Sequence, residues 1–271
     1  MAYNPFTFLG SELKSVTRGA FVLALSGLAA DFFSLFRDRL LASEFGASRA
    51  LDLYYVSFRI PDFIYTLSLF FAASTAVIPI LLEKFSENEK EAEDFFGNIF
   101  SLFALVTSAL VLIAYLAIPF LVPYFAPGFS LEEHQEVVLL SRILLLSPLF
   151  LGLSNLVSSV IQSFRRFYVY AASPLFYNFG IIFGILFLMP RMGLEGIVWG
   201  VIIGAFLHLA VQIPTVFSLG FSIHPRFPRI SDAVWRSLKL SLPRTLGLSL
   251  NQLVLGAITA IASTLGAGAV A

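Results

Sequence analysis

The chain has 271 residues, 58% of them hydrophobic and 13% charged, with a mean hydropathy of +0.87; soluble domains are about 45–50% apolar and about 25% charged, so this much apolar surface excludes an ordinary soluble globule. Seventeen basic and seventeen acidic residues balance to zero net charge, which argues against a nucleic-acid partner, and the lack of cysteine excludes disulfide frameworks and thiolate metal or redox chemistry. The apolar residues fall in blocks of roughly 20 or more, the length a helix needs to cross a bilayer. The expected fold class is an all-α membrane protein, a polytopic bundle of about seven transmembrane helices.

Residues 1–15 are polar and aromatic, with no small-residue cleavage motif after them, and are expected as a cytoplasmic segment. Spans are expected at 16–43, 50–82, 96–125, 137–163, 168–190, 193–220 and 233–266. Residues 83–94, rich in Glu, are expected as a loop, and residues 222–232, with Pro225 and Pro228, as an inter-lobe linker. The domain reading is a six-helix N-terminal lobe over 16–221, the linker, and the first helix of a second, truncated lobe over 233–271, because transporter folds are commonly paired repeats. Lys14, Arg18, Lys84, Lys90, Arg165, Arg166, Arg226, Arg229, Arg236 and Lys239 fall on one side of the membrane and only Arg39, Arg49 and Arg191 on the other. That bias places the N-terminus in the cytoplasm.

Charges inside spans are costly and tend to face a cavity or a partner. In the first span Asp31, Ser34 and Asp38 recur at i, i+3, i+7, flanked by Arg37 and Arg39; in the second Asp52, Tyr55, Arg59 and Asp62 recur at i, i+3, i+7, i+10. The two stripes are expected to line one hydrophilic cavity, the alternative being that Arg37, Asp38, Asp52 and Arg59 pair with one another or snorkel to the interface. Pro61 withdraws the N–H that the Ser57 carbonyl would accept, making it a candidate gate hinge or a static bend re-satisfied by neighbours. In the seventh span Arg244, Gly247 and Asn251 share a face, either a second-lobe cavity strip or helix-packing glue. Arg142 is expected to snorkel and His208 to be a satisfied packing histidine. The chain carries no GxSxG, HExxH or Walker motif and three scattered His, so no catalytic or metal-binding residue is assigned and the expectation is a transporter and not an enzyme. It would need no cofactor and be driven by a coupling cation, the membrane potential or a partner.

The string FRDRLLASEFGASRALDLYYVSFRIPDF (36–63), followed by AVIPIL (76–81), SPLFYNFGII (173–182), GLEGIVWGVIIGAFLHLAVQIP (193–214) and LPRTLGLSLNQL (242–253), resembles the first seven helices of the MurJ/MviN family, the lipid II flippases of the multidrug/oligosaccharidyl-lipid/polysaccharide exporter superfamily. The resemblance covers essentially the whole chain and implies a MATE-like lobe of a fourteen-helix, two-lobed protein in the bacterial inner membrane. Such a protein moves an undecaprenyl-pyrophosphate-linked saccharide through the lipid bilayer by alternating access for peptidoglycan synthesis, and implies that a C-terminal lobe is needed as well. Arg37, Asp38, Asp52 and Arg59 match family positions, and guanidinium forks suit phosphate oxygens. The chain departs from the family after FRIP, where Asp62, Tyr65, Thr66 and Leu69-Phe70-Phe71 replace an Asn, a basic pair and an Ala-Glu-Gly motif, and at Asp31, where an arginine is typical. Alternatives are another exporter of the superfamily, for a polysaccharide-lipid or a drug, or a non-transporting truncated lobe.

Overall fold

The structure, a computed structural model, describes residues 12, 16–72, 74–222 and 227–271. Thirty residues, apolar but for a polar stripe and its two ends, form α1 (Val16–Phe45), which stops at Gly46, where φ is +57°, a backbone conformation glycine reaches without a Cβ penalty. Ser48 then caps α2 (Arg49–Ser57), its hydroxyl accepting from the Leu51 N–H.

The stretch expected as one span over 50–82 is three helices in series: α2, α3 (Arg59–Ala72) and α4 (Ser74–Glu87). The first break falls at Phe58, and its cause is Pro61, which sits in the first turn of α3 and offers no N–H to the Ser57 carbonyl. That buried carbonyl accepts instead from Ser141 Oγ at 2.9 Å, so the backbone is satisfied where no water can serve it.

Residues 83–94 are helical, not a loop. Asn88 alone separates α4 from α5 (Glu89–Phe125) and caps it, Oδ1 accepting from the Lys90 N–H. Glu89 and Glu91 lie in the first turn, where negative charge is favoured by the helix dipole. A Ser130–Glu133 capping box opens α6 (Leu131–Leu144), which runs through Leu145 into α7 (Leu146–Ser163). The remaining elements are α8 (Phe167–Phe183), a π turn at Gly184–Leu188, α9 (Met189–Met192), α10 (Leu194–Ala210), α11 (Ile213–Ser218) and α12 (Asp232–Ser263).

Among the described residues six stretches are long and apolar enough to cross a membrane: 17–45, 89–125, 131–163, 167–192, 194–218 and 232–263. The interrupted stretch 49–87 occupies the place of the remaining expected span. The protein is an all-helical, multi-pass membrane protein.

A close seam joins α8 and the π turn after it to α10. A Cβ on Gly180 would lie 2.2 Å from Gly204 Cα, and one on Gly184 would lie 2.6 Å from Gly200 Cα. Glycines at four-residue spacing on both helices thus let the backbones touch, the packing that replaces hydrophobic driving force in lipid. The core divides between the two ends of the bundle. One cluster includes Leu51, Ile118, Leu140, Leu144 and Val201, the other Ile80, Phe96, Phe103, Val157 and Val160. By contrast α1 rests mainly on α8 and leaves Phe21, Leu25, Leu28 and Phe32 exposed, while α12 packs on α3, α4 and α5.

Candidate functional site

Where α1, the α2–α3 break and α8 meet, polar side chains surround a cavity of about 210 Å³. Arg37 and Asp38 come from α1, Tyr54 and Tyr55 from α2, Arg59 and Asp62 from the first turn of α3, and Tyr177 from α8. The two sequence stripes therefore do meet, through Arg37 and Asp38 on one side and Tyr55, Arg59 and Asp62 on the other.

Arg37 is heavily engaged. Nε and Nη2 donate to Asp38 Oδ1 at 2.9 and 2.7 Å, Nη2 also to Ser34 Oγ at 2.9 Å, and Nη1 to Asn178 Oδ1 at 3.3 Å. Asn178 is fixed in turn, its Nδ2 donating to the Pro174 carbonyl at 3.2 Å. Arg59 differs: its Nε is buried without a hydrogen-bond partner, and the charge it faces is that of Asp62. One turn deeper, Tyr65 Oη accepts from Asn155 Nδ2 at 2.7 Å, and Arg244 of α12 lies within electrostatic reach of Tyr65. Asp31 is exposed on α1 and does not line the cavity, and Gly247 and Asn251 lie on an open face of α12.

Asp52 is elsewhere. Tyr55, three residues further along α2, joins Arg59 in the cavity lining, but Asp52, in the first turn of α2, is fully buried away from it. Its Oδ2 accepts from the Gly268 N–H at 2.7 Å and its Oδ1 from the Val270 and Ala271 N–H groups at 3.0 Å each. Arg49 stands beside it, Nη1 3.8 Å from Asp52 Oδ2, Nε 3.1 Å from Glu133 Oε1, and the guanidinium 4.6 Å from the Phe129 ring. The Gly128 N–H donates to Ser263 Oγ at 3.2 Å. Together these contacts clasp the start of α2, the turn before α6 and the segment after α12 at the end of the bundle toward which α1 runs. The small-residue turns Gly46-Ala47-Ser48 and Gly266-Ala267-Gly268 were the available sequence signal: a Cβ on Gly268 would lie 2.5 Å from the Ala47 carbonyl oxygen.

Two other polar residues have partners away from the cavity, and of these His208 is the packing histidine expected. Arg142 lies 4.4 Å over the Tyr115 ring and donates to the Tyr115 carbonyl. His208 Nδ1 is 2.6 Å from Ser154 Oγ, within a network in which Gln212 Nε2 donates to Ser154 Oγ and Ser158 Oγ donates to Gln212 Oε1. The sequence reading missed Asn178, although it is one of the few amides in an apolar span. No group of three or more metal-ligating side chains occurs among the described residues.

The sequence model of the family "Lipid II flippase MurJ" matches residues 41–271. A probable lipid II flippase MurJ of Buchnera aphidicola subsp. Acyrthosiphon pisum is 32% identical over 254 residues, covering 92% of this chain and 50% of the relative. The lipid II flippase MurJ of Burkholderia cenocepacia is 30% identical over 260 residues, again covering 92% and 50%. A solved structure titled as lipid II flippase MurJ in an inward closed conformation superimposes with a TM-score of 0.75 at 24% identity, covering 92% of this chain and 52% of that one. The chain spans about half the length of these relatives.

Proposed function

Because the chain belongs to the lipid II flippase MurJ family, we propose that it forms one lobe of a transporter carrying lipid II, an undecaprenyl-pyrophosphate-linked saccharide, across the bacterial inner membrane by alternating access. The observation that carries the reading is the charged cavity of Arg37, Asp38, Arg59 and Asp62 set among membrane-spanning helices, since intramembrane charge marks substrate paths. In this reading residues 1–15 are cytoplasmic, 16–221 form the lobe, 222–232 link it onward, and 233–271 begin a second lobe whose remainder supplies the other wall. The clasp around Asp52 then lies at the periplasmic face and closes it. Alternating access requires the three N–H bonds to Asp52 to break, while the bend at Pro61, held by Ser141, travels as a rigid unit. Arg244 and Asn251 would face the second half of the cavity. Transport would draw on the membrane potential or a coupling cation, with no cofactor and no covalent chemistry.

A second reading, export of another lipid-linked saccharide, is favoured by Asp62, which lines the cavity, and Tyr65, one turn further along α3, where the resemblance leads one to expect an Asn and a basic residue. Complementation separates the readings. In bacteria depleted of their own lipid II flippase, the full-length protein containing this chain is expected to restore growth, and its Arg59→Ala variant, inserted at the same level, is not. Failure of the unmutated full-length protein, with insertion verified, would transfer the assignment to the second reading.

A further inference from the structure

Two prolines four residues apart shape the far end of α5. Pro119 offers no N–H to the Tyr115 carbonyl, and Pro123 offers none to the Pro119 carbonyl. Arg142 of α6 fills the first gap, its Nε donating to the Tyr115 carbonyl at 3.3 Å with the guanidinium 4.4 Å from the Tyr115 ring. Among the described residues no carboxylate pairs with Arg142, so its charge is uncompensated. The residues lining a cavity of about 470 Å³ between the two helices include Pro119, Pro123, Leu131, Gln135, Val138 and Arg142. The depth of this cavity follows from helix rise. Asp94 is the last charged residue of α5, and Tyr115 stands 21 positions beyond it, about 31 Å at 1.5 Å per residue. Arg142 likewise stands 21 positions before Ser163, the end of α7. Both measure one hydrocarbon thickness, about 30 Å, from the side that bears Arg165 and Arg166. Arg142 therefore sits at the opposite edge of the hydrocarbon, and the cavity lies beyond it at headgroup depth.

We propose that this cavity is a binding site for an anionic phospholipid, with the phosphodiester on Arg142 and the headgroup in the cavity. Charge selects the occupant. An unpaired guanidinium at the edge of the hydrocarbon takes phosphate oxygens in charge-assisted bonds, and with Nε committed to Tyr115 the two Nη groups are the donors left for them. The Pro119 carbonyl, deprived of its helical donor by Pro123, is an acceptor for a headgroup hydroxyl, and Gln135 adds an amide to the same lining. A glycerol headgroup suits both, so phosphatidylglycerol is the occupant. Its acyl chains run back along the exposed Leu105, Leu112 and Ile113 of α5. Other faces of α6 hold the lobe: Ser141 donates to the Ser57 carbonyl and Glu133 pairs with Arg49. A lipid on Arg142 thus pins from outside the helix that secures the bend and the clasp from inside. The site needs only the membrane-spanning fold, and the flippase reading enters solely in making the leaflet the periplasmic one.

The test is a lipid titration of the purified full-length protein followed by native mass spectrometry, with phosphatidylglycerol and phosphatidylcholine of identical chains as probes. One equivalent of phosphatidylglycerol is expected to bind about tenfold more tightly than phosphatidylcholine, whose headgroup carries its own cation and no donor. Arg142→Gln should weaken that equivalent about tenfold, the loss of one charged hydrogen bond, and Arg142→Lys, which keeps the charge and loses the fork, by less. Gln135→Trp fills the cavity from an exposed position and leaves Arg142 in place, so it should remove the same equivalent. Arg191→Gln, at an exposed cation outside the cavity, should leave it unchanged. Equal affinity for the two lipids, or unchanged binding in either Arg142→Gln or Gln135→Trp, would overturn the inference and leave the apolar end of α5 as a surface for another polypeptide. Growth rescue by a protein without the selective equivalent would overturn the lipid site and spare the flippase reading. Selective binding lost in Arg142→Gln, without growth rescue by the unmutated protein, would do the reverse.

Discussion

Asp52 and Arg59 lie seven residues apart, on either side of one proline-induced break, and they end in opposite situations. The Asp52 carboxylate is buried with three backbone N–H groups and Arg49 around it. The Arg59 guanidinium holds a buried nitrogen with nothing to bind. A charge whose bonding capacity is filled by its own chain costs free energy to move, and so closes a structure. A charge left unfilled costs free energy to keep, and so waits for a ligand. The comparison teaches that intramembrane charge is sorted by saturation and place together: Arg49 Nη1 in the clasp is also buried without a hydrogen-bond partner, and what sets Arg59 apart is that it lines a cavity.

The strongest way to break the comparison is to remove both charges and measure melting of the full-length protein in detergent. Asp52→Ala strands three N–H donors and an arginine and should cost about 3–5 kcal/mol, read as a large fall in melting temperature. Arg59→Gln removes an unsatisfied donor and should change stability by less than about 1 kcal/mol while abolishing function. If the two variants melt alike, saturation does not separate the roles. A finer cut is Ser141→Ala, which takes the hydroxyl from the Ser57 carbonyl and should cost about 1 kcal/mol. It should also raise amide hydrogen exchange in the first turn of α3. Unchanged exchange there would mean that the bend is held by packing alone.

How much of this was legible in the sequence follows from which interactions are local. Apolar block length placed the long helices, and the missing N–H of Pro61 correctly identified the Ser57 carbonyl as the group needing a new donor. That Ser141 would fill it required knowing that α6 lies against the break. The acidic run at 83–94 was misread because its charge outweighed the capping sense of Asn88, which makes the same residues a good helix start. Helical periodicity grouped Tyr55, Arg59 and Asp62 correctly, since all three line one cavity, and grouped Asp52 with them wrongly, since its carboxylate, one turn earlier in α2, is taken up by backbone N–H groups after α12. The glycine seam of α8 and α10 was readable in principle from Gly180, Gly184, Gly196, Gly200 and Gly204 at four-residue spacing. The partners of Arg37 were not, because Asn178 is 141 positions distant.

The smallest effect is expected at the opposite end of the bundle from the clasp, where ion pairs face water. Arg236 Nη1 lies 2.8 Å from Glu83 Oε2 and joins α12 to α4, but the two side chains remain 57% and 44% exposed. Such pairs contribute about 0.2–1 kcal/mol and are screened by salt, because the Debye length shrinks from about 10 Å at 0.1 M to about 3 Å at 1 M. Arg236→Gln should therefore lower the melting temperature slightly at low ionic strength and not at all in 1 M salt. The Asp52→Ala deficit should persist in that same salt, since the carboxylate that accepts these bonds is fully buried and counter-ions do not reach it. A deficit at Asp52 that also vanished in salt would place the clasp in water and remove the physical basis for distinguishing it from a surface pair.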